Sequence, residues 1–224
     1  MRATPDRPHD PVPLRGGLPA PRRVAGFTFV GDRLWLDFVN TGADAADAPA
    51  GDVLRSFDAF VTWLQAADVL DVERAHAMRR RASEQPSGAA AALVEARRVR
   101  TSLRALAEWG ASAERVRVDA LNEINRILGR STGTRRVERT PEGSFARTFV
   151  TVGDVFASLM IPIVDSAADA LIAEELARVR RCADPRCGRV FHDLTRNRAR
   201  RWCDMATCGN RAKAARHRAA SAKK

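Results

Sequence analysis

A chain of 224 residues, 45% of them hydrophobic, has room for one medium domain and a small one, with enough apolar material for a packed core. No run approaches the roughly eighteen apolar residues of a membrane span, and the N-terminus carries no apolar run of signal-peptide type, so a soluble cytoplasmic protein is expected. The net charge of +11 is confined to one end: residues 178–224 hold 15 Lys+Arg against 3 Asp+Glu, for +12, and the rest of the chain sums to −1. That asymmetry points to a polyanion partner at the C-terminal end rather than to an evenly solvated surface.

Residues 1–24 carry six of the eleven prolines and no periodicity, and are expected to be a disordered leader. Phe27 to Val30 is a short β-like run, closed by a Gly31-Asp32 turn. The stretch RLWLDFVNT that follows fits a strand through the alternation of Leu34, Leu36 and Phe38. It also fits a helix, with Leu34, Trp35, Phe38 and Val39 on one face and Asp32 as N-cap, and the helix is the reading taken. Asp37 and Asn40 then share its less apolar side. They are candidates for a ligand pocket, or else braces for nearby backbone.

Residues 42–52 read as a loop, and helices follow. One is expected over 55–66 with Phe57, Phe60, Val61 and Leu64 on a stripe, and another over 71–84, stopped by Pro86. A long helix over 88–110 would turn Leu93, Val94, Leu103, Leu106 and Trp109 inward and end at Gly110. The next, over 116–128, carries Val118, Leu121, Ile124 and Leu128. Residues 134–152 change character: two alternating runs about Pro141-Glu142-Gly143 predict a β-hairpin. Helix resumes over Val155 to Leu176, with Pro162 either starting it or kinking it, and Leu176 to Arg181 runs into the basic segment with no linker.

All four cysteines lie in that segment, as the pairs Cys182/Cys187 and Cys203/Cys208. Four residues separate the members of each pair and fifteen separate the pairs, and each pair closes with Cys-Gly. Two such knuckles can set four sulfurs in a tetrahedron, the closed site that one structural Zn²⁺ prefers. Two disulfides would need an oxidising compartment, and four unrelated thiols would not explain the matched pairs. His192 and His217 are alternative ligands only in principle, since four sulfurs already fill the tetrahedron. A hairpin is expected between the knuckles, turning at Leu194 to Arg198, with a helix after the second. Knuckle, hairpin, knuckle and helix make a treble-clef layout around Phe191, Trp202 and Val190. So small a unit draws its folding free energy from zinc, on the order of 10–16 kcal/mol for a structural site.

The run RNRARRWCDMATCGNRAKAARHR closely resembles the CGNR zinc-finger family, whose signature is Cys208-Gly209-Asn210-Arg211. Phe191, Asp193, Arg196, Asn197, Arg201, Trp202, Cys203, Met205, Lys213 and Arg216 also fall on its pattern. Leu34 to Thr41, LWLDFVNT, resembles the start of the ABATE domain that precedes this finger. The resemblance implies a bacterial transcription regulator linked to stress. The expected fold is mainly α: a leader over 1–24, a multihelical domain with a small β-hairpin over 25–177, a treble-clef-like zinc finger over 178–218 and a basic tail over 219–224.

The leading functional reading is a DNA-binding regulator. Its candidate contacts are Arg196, Asn197, Arg200, Arg201, Asn210, Arg211, Lys213 and Arg216, because Arg and Asn read guanine and adenine edges bidentately. Asn197 can instead shape a turn, and Asn210 and Arg211 can instead brace the knuckle. The helical domain would bind a small-molecule effector or form a homodimer, and because its periodicity is self-contained it is expected to fold without the finger. RNA binding and protein interaction are the alternatives, with an enzyme centred on Asp37 and Asn40 behind them. There is no Gly-rich phosphate loop, no HExxH and no nucleophile elbow, and a four-cysteine site leaves zinc no open position for catalysis.

Overall fold

The structure, a computed structural model, describes residues 21–42, 52–130, 133–139, 143, 145–151 and 156–221. Most of the leader, the 43–51 loop and the central turn of the predicted hairpin lie outside them. Among the described residues there are seven helices and three two-stranded antiparallel sheets. None of these helices is long and apolar enough to cross a membrane.

The first sheet pairs β1 (Arg22–Val24) with β2 (Phe27–Phe29) in the register Val24↔Phe27. Its two-residue turn has Ala25 at φ 50° and Gly26 at φ 83°, the doubly left-handed geometry whose twist matches the flanking strands. The last residues assigned to the leader, Arg22 to Val24, therefore form a strand. Residues 34–40 are helical (α1, Leu34–Asn40), but Asp32 does not cap them. Asp32 has φ 59°, and the N-cap is Arg33, which is extended and supplies no side-chain bond. Asp37 reaches back instead, and its Oδ1 accepts from the N–H groups of Val30 and Gly31, at 2.8 Å each. Gly31 is needed there, because a Cβ would stand 2.7 Å from the Asp37 nitrogen.

Helix α1 buries Trp35, Leu36, Phe38, Val39 and Asn40, so it is covered on nearly all sides and forms the centre of the core. It packs against α4 (Pro86–Trp109), α6 (Ile161–Ile172) and the strand β6 described below. Around it, α2 (Phe57–Ala66) and α3 (Val72–Glu84) start at side-chain caps, Ser56 accepting from Ala59 N and Asp71 from Arg74 N. Pro86 opens α4 at its first turn, and Pro162 likewise starts α6 rather than kinking it.

Four of the predicted inward residues face solvent. Val94 and Trp109 are 65% and 59% exposed, and Val118 and Leu121 are also exposed. The buried stripe of α4 is built from small residues, Ala89, Ala92 and Ala96, continuing through Val99, Leu103 and Leu106. That of α5 (Glu114–Arg130) is Ala120, Glu123, Ile124 and Ile127, with Glu123 neutralised by Arg126. Alanines and a paired glutamate mark these faces, so ranking by hydrophobicity rotates the stripe. The predicted hairpin is present as β3 (Gly133–Arg139) against β4 (Phe145–Thr151), with Arg139↔Phe145 next to the turn.

The C-terminal segment differs from its expected hairpin. Strand β6 (Val190–His192) pairs with β5 (Val179–Arg181), which precedes the first knuckle, and not with residues after it. Residues 194–202 instead fold around the Asp193 carboxylate, which accepts from Thr195 N, Thr195 Oγ1 and Arg200 N. Arg198, at φ 52°, completes that turn.

The two cores each lend the other a residue. Val30 packs with the four cysteines and Phe191, and Val190 packs in the helical core. Asn40 joins them: its amide donates to Val190 O and accepts from Val190 N, both at 2.8 Å and both buried. Arg104 adds a bond to Gly188 O, and His192 N donates to Gly31 O at 2.9 Å. With this packing, a truncation near Ala177 strips Asn40 of both partners and the helical core of Val190. Asn40→Ala is expected to cost about 2–4 kcal/mol, because two buried backbone groups lose their partners. Urea denaturation followed at both a helical and a finger-specific signal checks this, and both signals should shift together.

Candidate metal centre

Each knuckle is shaped by an aspartate. In the first, Asp184 Oδ1 accepts from Arg186 N at 3.1 Å and its carbonyl accepts from Cys187 N at 2.9 Å. In the second, Asp204 Oδ1 accepts from Ala206 N and its Oδ2 from the Thr207 hydroxyl, both at 2.9 Å. The chain then makes a π-helical turn, Met205–Gly209, that leads directly into α7 (Asn210–Ser221). These aspartates were not among the residues singled out from sequence. Asp184-Pro185 is a turn signal that could have marked the first.

The four cysteines are buried and unbridged, and their Sγ atoms all lie within 4.8 Å of one another. Cys187 and Cys203 are 3.6 Å apart, and Cys203 and Cys208 are 3.8 Å apart. A tetrahedron with Zn–S bonds of about 2.3 Å has S···S edges of about 3.8 Å, whereas a disulfide needs about 2.05 Å. The donor set fits one structural zinc ion. Thiols packed this closely compete for ionisation. Hydrogen bonds from Cys187 and Cys203 hold Cys182 down to about 2, and Cys182 in turn pushes Cys187 up to about 12 and Cys203 up as well. A divalent cation removes that competition by accepting all four sulfurs as thiolates.

His192 lies outside the sulfur set. It is buried, neither ring nitrogen has a hydrogen-bond partner among the described residues, and Nε2 stands 3.6 Å from Glu175. Burial, with Arg33 nearby, lowers its pKa to about 4, so the ring is neutral.

The predicted DNA-contact residues separate into two groups. Arg200 is internal, with only 8% of its side chain exposed. It ion-pairs with Asp32, donates to Cys203 O at 2.6 Å, Trp202 O at 3.1 Å, His192 O at 3.4 Å and Val30 O at 3.5 Å, and lies 4.3 Å over the Phe191 ring. Its guanidinium is committed to the junction of the two cores. Arg211 bonds the buried Asp184 carboxylate at 2.7 Å and the Cys208 sulfur at 3.4 Å, and both raise its pKa, Cys208 the more. Asn210 donates to Ala206 O within the π turn. Arg196, Asn197, Arg201, Lys213 and Arg216 are exposed. Apart from Arg201, whose guanidinium sits 5.2 Å over the Trp202 ring, their side chains have no partner among the described residues.

Asn40 is spent on Val190, while Asp37 lines a small cavity from which Asn40 is absent.

A finger closed by four cysteines defines the class: residues 178–220 match the CGNR zinc finger. Residues 32–175, more than half of the chain, match the ABATE family, described as "Putative stress-induced transcription regulator", and the chain belongs to that family. No curated protein matches it.

Two outcomes follow from the geometry. Freshly purified protein should hold one zinc per chain, and Cys203→Ser should lose it and lower the melting temperature of the helical core too, because Val30 and Arg200 tie the two together. Elemental analysis beside far-ultraviolet melting checks both. Arg211→Ala should cost about 1–3 kcal/mol by leaving the buried Asp184 carboxylate short of a partner, and should speed zinc transfer to a chelator.

Proposed function

We propose that the chain is a non-catalytic, cytoplasmic regulator that binds duplex DNA through the outer face of α7, with the helical module as its regulatory half. The observation that carries this is that α7 buries no residue along its length. An isolated twelve-residue helix is marginal in water, and this one is anchored where it leaves the zinc knuckle, through Arg211 on Asp184. Arg211 docks on the first knuckle, and Ala215 and Arg218 follow on that side at i+4 and i+7. Lys213, Arg216, His217 and Ala220 therefore share the opposite, outward face. Small alanines between cations let such a face enter the major groove, which admits one α-helix.

The contact set narrows to Arg196, Asn197, Arg201, Lys213 and Arg216, because Arg200, Arg211 and Asn210 are used within the finger. Four thiolates and one zinc would leave residues 178–224 at about +10, enough to draw in a polyanion. The single-strand reading is weaker, because among the described residues of the finger Phe191 is buried and Trp202 is half-buried and covered by Arg201, which leaves no open aromatic there for a base to stack on.

With four to six phosphates contacted, log K should fall with log[salt] at a slope of roughly −4 to −5. Arg216→Ala and Arg196→Ala should each flatten the slope by about one unit while leaving zinc content unchanged. Fluorescence anisotropy over a salt series reads both. Equal affinity for all sequences at physiological salt would leave a general polyanion module and end the regulator reading.

A further inference from the structure

Where the β1–β2 hairpin, the start of α1 and the finger meet, the surface is indented by a half-open cavity of about 170 Å³. Its apolar wall is Phe29 and Val30, and its polar wall is Asp32, Asp37 and Arg200. Cys203, one of the zinc ligands, also lines it. The cavity thus touches both cores and the metal centre at once.

The hydrogen bonding around it is unbalanced. Arg200 offers an occupant nothing, since its donors are already spent on Asp32 and on backbone carbonyls. Arg22 is held at the rim, against Asp68 and over the Phe29 ring. Asp37 uses one oxygen for two backbone N–H groups, and Asp32 uses one for Arg200. The second oxygen of each has no partner among the described residues. Two carboxylates, each with one oxygen used, therefore share the wall of a cavity in which Arg200 is spent on Asp32 and backbone carbonyls and Arg22 on Asp68. Burial accordingly raises the pKa of both, Asp37 to about 6. What the cavity leaves open is a donor for the second oxygen of each carboxylate. Its volume compares with the roughly 150 Å³ cavity that holds one benzene.

We propose that this cavity binds a small primary amine, its ammonium held between Asp32 and Asp37 and a compact apolar body packed on Phe29 and Val30. Such an occupant contacts a strand, a helix and the finger together, so its binding free energy adds to the junction that holds the second knuckle. The inference stands apart from the DNA reading, because binding is measured without DNA.

The test titrates the zinc-loaded full chain near neutral pH with benzylamine, benzyl alcohol and benzoate, by calorimetry and thermal melting. Benzylamine should bind one to one and raise the melting temperature. The alcohol should bind at least about tenfold more weakly, and benzoate should not bind, because only the ammonium answers both carboxylates. In Asp37→Asn the amide oxygen still accepts from Val30 and Gly31. The variant should keep its zinc and its fold but lose about tenfold in amine affinity. Arg216→Ala should bind benzylamine as the wild type does. Equal affinity for amine and alcohol, no saturable amine binding, or undiminished binding to a folded Asp37→Asn would overturn the proposal. So would stoichiometric displacement of the amine by Ca²⁺ or Mg²⁺, which would make the pair a metal site. Should Asp37→Asn fail to fold, the discrimination among the three probes by the wild type decides alone.

Discussion

Four sulfurs held within 4.8 Å of one another are the constraint on which the rest depends. A segment of this size cannot bury enough apolar surface to hold them by itself. Two supports make up the difference. The metal turns a repulsive set of thiols into a cross-link between two stretches of chain. The helical module supplies Val30 to the sulfur cluster and receives Val190 in return, with the Asn40 amide closing the exchange. Finger and helices are thus two family matches in sequence but one packed body in structure.

The same residue type serves two ends within a few positions. Arg200 and Arg201 are neighbours, yet the first is folded into the junction and the second lies over Trp202 at the surface. Arg211 and Lys213 are two apart on α7, and only the first reaches a carboxylate and a sulfur. A basic segment therefore carries fewer free cations than its composition implies. Asp32 and Asp184 are the carboxylates that take Arg200 and Arg211.

Much of this was legible in sequence, for identifiable reasons. The zinc site announces itself because its ligands are local pairs with a repeated spacing. Helices α2 and α3 show caps and breakers at their ends, and the β3–β4 hairpin shows alternation about a Pro-Gly turn. What was hidden depends on partners distant in the chain. The inward face of α4 is mostly alanine, so Val94 and Trp109 draw the eye although they face solvent. Strand β6 pairs with residues that precede the first knuckle, while the Asp193 carboxylate holds the residues after β6 in a turn. Arg200 reads as one more cation until Asp32, far upstream, is brought beside it.

The π-helical turn at Met205–Gly209 has a consequence for how this finger can change over evolutionary time. A π turn holds about one residue more than an α turn, and each residue rotates a helix by about 100°. Losing one residue there would let the turn close as ordinary α-helix and swing the outward face of α7 about a quarter turn around its axis. The basic side chains would then face a different direction without a single substitution among them. Length in this short segment is therefore an aiming device: related chains could keep the same composition and the same cysteines and still present α7 to a different surface.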